Sequence, residues 1–121
     1  MAQLTLVTGK TIVPTLTAGS ALNIVQGSQY EYIPFHANVR VAPFTRDATE
    51  GGCLATVYFD TDLMLQESPI LSLATAGTFP KYPDDFHLVR DCLQGTRLNV
   101  TLRNTTAGTI VSGVVIHLEP I

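Results

Sequence analysis

Residues 93–120, LQGTRLNVTLRNTTAGTIVSGVVIHLEP, decide the fold class. Leu98, Val100 and Leu102 alternate with Asn99, Thr101 and Arg103, the period of a strand with one buried face. Asn104-Thr105-Thr106-Ala107-Gly108 has the composition of a turn. On the return strand Ile110, Val114, Ile116 and Leu118 share one face, and Val111, Val115 and His117 fall on the other. Gln94-Gly95 marks a turn in front. The stretch reads as a β-hairpin, the closing strands of a β-sandwich, and it carries no chemistry of its own.

Working back from it, residues 53–59 are a second clear strand. Cys53, Ala55, Val57 and Phe59 alternate with Leu54, Thr56 and Tyr58, and both faces are apolar enough for a central position. Asp60-Thr61-Asp62 turns the chain. Pro69 allows residues 63–68 one or two helical turns at most. Residues 22–26 and 29–35 read as paired strands. Residues 38–42 form a short strand with Val39 and Val41 inward and Arg40 outward, and residues 86–90 form another. Residues 43–52, with Arg46, Asp47, Glu50 and Gly51-Gly52, read as an exposed loop. Residues 75–85 (TAGTFPKYPDD) read as a long ordered loop of the kind that carries contacts.

Residues 1–30 hold one charge, Lys10. Pro14 cannot donate to a ladder, so this part is an edge strand or an arm. Residues 1–20 are expected to pack on another polypeptide through Leu4, Leu6, Val7, Ile12, Val13 and Leu16, with the sandwich at 21–121. About eight to ten short strands separated by turn signals describe a sandwich or barrel. The expectation is an all-β, jelly-roll-like antiparallel β-sandwich with an extended N-terminal arm.

The chain has 121 residues, enough for one domain with a real core. Only 14% of its residues are charged, against about a quarter in ordinary domains. A weakly charged surface points to contact with other proteins. The net charge of −3, with Lys and Arg scattered, argues against nucleic acid. No apolar run reaches the roughly 20 residues of a membrane span. The N-terminus has no basic region followed by an apolar core, so no secretory signal is expected. The sequons at Asn99 and Asn104 then read as coincidence in a Thr-rich chain.

The chemistry-bearing residues form no motif. His36, His87 and His117 are spaced too widely for a local metal site. Asp60/Asp62 and Asp84/Asp85 have the spacing of turn residues as much as of a calcium site. No Ser sits in a Gly-x-Ser-x-Gly elbow. Nothing basic flanks Cys53, and Asp91 beside Cys92 disfavours a thiolate. Neither an enzyme nor a cofactor is expected.

The lead-in GTRLNVTLRNTT and the Val/Ile-rich last strand resemble the endings of small jelly-roll proteins of phage virions. These are the cement or decoration proteins of tailed-phage capsids and the single-jelly-roll penton proteins of other phages. The resemblance covers about the last third of the chain. It implies a structural protein on the capsid surface, often trimeric, that clamps major-capsid subunits and is assembled in the host cytoplasm. A shell or vertex protein is the alternative within viruses. A carbohydrate-binding module, built on Tyr82, Asp84 and Asp85, is the alternative outside them. Phe79, Tyr82, Asp84 and Asp85 join the arm residues as the expected interface.

Overall fold

The computed structural model describes residues 8–47, 51–74, 78–80, 85–86 and 88–121. Among them, ten strands run in chain order as β1 (Thr8–Ile12), β2 (Thr15–Leu16), β3 (Ala21–Asn23), β4 (Ala37–Thr45), β5 (Cys53–Phe59), β6 (Asp62–Pro69), β7 (Leu71–Ser72), β8 (Leu88–Cys92), β9 (Leu98–Asn104) and β10 (Ile110–Pro120). They build two packed sheets, so the chain is a β-sandwich. In the first sheet β10 lies between β1 and β4, with β2 also on β10, and β7 and β8 share the far edge of β4. The second sheet has the order β3-β9-β5-β6. Every pairing is antiparallel except the two-residue match of β7 with β4.

The alternation seen in the sequence explains the core. Cys53, Ala55, Val57 and Phe59 of β5 and Leu98, Val100 and Leu102 of β9 point inward from the second sheet. They meet Ala37, Val39 and Val41 of β4 and Val114, Ile116 and Leu118 of β10. Each Val, Leu, Ile or Phe among them contributes about 1.5–3 kcal/mol by leaving water. β5 is central in its sheet, as its two apolar faces require.

The C-terminal stretch is not a hairpin. β9 pairs with β3 and β5, whereas β10 pairs with β1, β2 and β4, and the two stand on opposite sheets. The inward residues of β9 and β10 face each other across the core. Residues 105–109 arch from one sheet to the other, anchored at the start by Thr105 N–H donating to the Gly52 carbonyl at 3.0 Å. An arch and a hairpin present the same alternation to a reader of sequence.

The N-terminal segment needs a second correction. From Thr8 on it belongs to its own domain. β1 and β2 follow one register along β10, from Thr8 opposite Leu118 to Leu16 opposite Ile110, interrupted at Val13-Pro14 where proline has no N–H. Leu16 is 1% exposed, within the core. Ile12 packs against that core, and Val13 is 40% exposed. Residues 8–16 therefore pack on their own domain rather than standing off it as an arm, and the sandwich begins before residue 21. The physical reason is the open edge of β10, which an apolar strand of the same chain reaches first. Leu4, Leu6 and Val7 lie outside the described residues.

Smaller differences follow from turn chemistry. Of the two strands expected in 22–35, only β3 forms. Residues 24–31 are turns whose Ile24, Val25 and Tyr30 plug the end of the core together with Ile33. β4 runs on through Pro43 to Thr45, so the following loop starts at Arg46. Residues 62–69 are an edge strand with an irregular register on β5, not helical turns. The strand expected at 86–90 is shifted to Leu88–Cys92.

Candidate docking surface

β4 and β10 are apolar on both faces. Outside the sandwich, Ala42, Phe44, Val115 and Phe86 form a second, small buried cluster with Leu73 beside it. Residues after β7 cover it. The Phe79 ring meets Phe44 edge-on, with centroids 5.8 Å apart. The Arg46 guanidinium carbon lies 5.0 Å from both ring centroids. Arg46 Nη1 also donates to the Leu73 carbonyl at 3.0 Å and the Thr78 hydroxyl at 3.2 Å. Phe86 packs on His117 at 4.6 Å between centroids. Phe79, expected to face a partner, thus packs first on its own sheet and keeps 44% exposure.

Beside this cover the sheet has a gap. Among the described residues β8 pairs with β4 as far as Val41, and β7 starts at Phe44. Between them Pro43 offers no N–H for a ladder. The gap opens into a recess of about 180 Å³ walled by Val41, Pro43, Leu65, Ile70, Leu71 and Leu88. Asp85, one of the expected interface residues, stands on the same wall. Sequence reasoning missed the apolar walls. Their signal was a pair of prolines, Pro43 and Pro69, at positions that turned out to lie in strands. Tyr82 and Asp84 lie outside the described residues.

At the other end of the same edge, Arg90 of β8 pairs with Asp62 of β6 across the two sheets. Its guanidinium lies 5.9 Å from the Phe59 ring centroid. Asp60 accepts a hydrogen bond from the Arg97 N–H at 2.9 Å, so Asp60 and Asp62 serve turn and ion pair. Among the described residues no three His, Cys, Asp or Glu gather as a metal site would need. His36 is exposed, and His87 lies outside the described residues. Burial, followed by the charge of Arg40, lowers the His117 pKa.

Both cysteines are free and buried. Burial raises the Cys53 pKa, against a hydrogen bond with Ser112. Burial pushes Cys92 up to about 11, with Arg90 opposing and Asp60 and Asp91 adding to the rise. Burial thus favours the protonated form of both thiols.

Asn104 is fully buried, and its side-chain N–H groups donate to the carbonyls of Leu16, Thr17 and Gly108 at 3.1, 3.1 and 2.8 Å. That amide cannot carry a glycan in the folded chain. The arrangement as a whole offers surfaces, an edge and an apolar recess. No family model, curated protein or solved structure matches the chain.

Proposed function

We propose that the chain is a structural virion protein of jelly-roll type that binds the outside of a phage capsid and stabilises contacts between major-capsid subunits. The observation that carries this reading is the strand order. With β1 and β2 taken as one strand and β7 as an annex, eight strands among the described residues divide between the two sheets, changing sheet at every connection but that of the fourth to the fifth. The first, eighth, third and sixth lie in one, and the second, seventh, fourth and fifth in the other. That interleaving supports a jelly roll, a fold used by viral shells and lectins. The low share of charged residues and the open edge at β7 and β8 support a role in contacts between subunits. The chain acts without catalysis or cofactor, as a homo-oligomer with a trimer favoured, on the virion surface after assembly in the host cytoplasm.

A shell or vertex protein draws on the same strand order and is the second reading. The sugar-binding alternative rests on Tyr82, Asp84 and Asp85, of which Asp85 alone is among the described residues, and a glycan array without signal would overturn it. Mass spectrometry of purified particles is expected to find this chain at high copy number, and its absence there overturns the virion reading. Shells that form without the chain favour decoration, and shells that fail to form favour a vertex or shell role.

A further inference from the structure

We propose that the recess between β7 and β8 is an anchor pocket for a Lys or Arg side chain of the capsid subunit that the chain coats. The inference rests on the virion reading above and names the chemistry of its contact. A recess of about 180 Å³ is large enough for one long side chain, since a cavity of about 150 Å³ holds a benzene-sized group. Its walls are apolar at Val41, Pro43, Leu65, Ile70, Leu71 and Leu88, and Asp85 adds a carboxylate. A wholly apolar occupant would strip water from that carboxylate without replacing its hydrogen bonds. A Lys or Arg lays its aliphatic stem on the walls and brings its cation to the carboxylate.

Asp85 already has an interaction within the chain. A carboxylate has about four lone-pair sites, so one interaction leaves it acceptor capacity for a second donor. The chain uses the same device at the other end of this edge. There Arg90 lies over the Phe59 ring and pairs with Asp62. The recess repeats the apolar wall and the acid, and the cation comes from the partner. The net charge of −3 favours the approach of such a partner.

The test titrates the full chain with n-butylammonium, 1-butanol and butyrate, followed by amide and methyl NMR. Butylammonium is expected to shift Val41, Leu65, Ile70 and Leu88 and to bind about threefold more tightly than butanol. Butyrate is expected to bind more weakly than either. Asp85→Asn should bring butylammonium down to the level of butanol. Leu71→Trp, at a rim position 39% exposed, should block both. Equal binding of ammonium and carboxylate, shifts centred elsewhere, or no saturable shift would overturn the pocket. The titration contains no particle, so its failure leaves the virion reading to the particle measurement.

Discussion

At one long edge of the sandwich the chain passes from β2 in the first sheet to β3 in the second through residues 17–20. At the opposite edge it passes from β6 in the second sheet to β7 in the first through Ile70. The first crossing is sealed. Ser20 N–H donates to the Thr17 carbonyl at 3.1 Å, Leu16 fills the core, and Asn104 holds the carbonyls of Leu16, Thr17 and Gly108. The second crossing leaves a recess at one end and an exposed ion pair at the other. The sealed edge is fixed by backbone hydrogen bonds and close packing, which tolerate no extra atoms. The open edge is held by side chains at the surface, which leave room for another molecule.

Gly113→Ala should break the sealed edge most. A Cβ at that position would sit 2.4 Å from the Ile12 carbonyl oxygen and 3.1 Å from both Phe44 Cζ and Val13 Cα. The nearest obstacle is backbone, so β1 and β2 must move off β10. The expected loss is about 3 kcal/mol, read from denaturant unfolding. Hydrogen exchange should quicken along β1 and the facing half of β10. An unchanged midpoint would mean that the N-terminal strand contributes little to the fold.

Asn104→Ala attacks the same edge through its polar hub. The Oδ1 atom also accepts from Thr106 N–H at 2.8 Å and from the Thr106 hydroxyl at 2.7 Å, so the side chain organises both ends of the arch. Alanine leaves the carbonyls of Leu16, Thr17 and Gly108 without these donors. The expected loss is about 2 kcal/mol. Asn104→Asp should cost at least as much, because an ionised carboxylate cannot donate to carbonyls and is buried. Stability equal to the parent chain in both variants would remove the hub.

The legible part of this fold was the part decided by alternation. The inward faces of β5 and β9 were readable because Cys53, Ala55, Val57 and Phe59, and Leu98, Val100 and Leu102, follow the strand period without a break. Which sheet a strand joins was not readable. Leu98–Leu102 and Val114–Leu118 have the same pattern whether they lie side by side or face each other. The N-terminal strand was misplaced for a related reason. Its low charge and Pro14 describe an edge strand equally well on its own sheet or on a neighbour's. In the candidate site, Phe79 and Asp85 stood out by residue type. The walls of the recess did not, since Val41, Leu65, Ile70 and Leu88 are individually ordinary apolar residues, and only the folded arrangement brings them together.

Arg90→Ala is the smallest change and the sharpest check on the open edge. Arg90 joins β8 to β6 through Asp62 and lies near the Phe59 ring. Its side chain is 37% exposed and that of Asp62 60%, so water screens the pair strongly. An exposed ion pair contributes within about 1 kcal/mol, and the contact with the ring adds to it modestly. The variant should therefore unfold at nearly the parent midpoint. The residual difference should shrink as salt is raised, because the Debye length falls to about 3 Å at 1 M. Phe59 is fully buried beneath this contact, so the core itself stays in place. A loss as large as that of Asn104→Ala, insensitive to salt, would show that this edge is sealed as tightly as the other. The contrast between the edges would then fail, and with it the physical ground for an opening at β7 and β8.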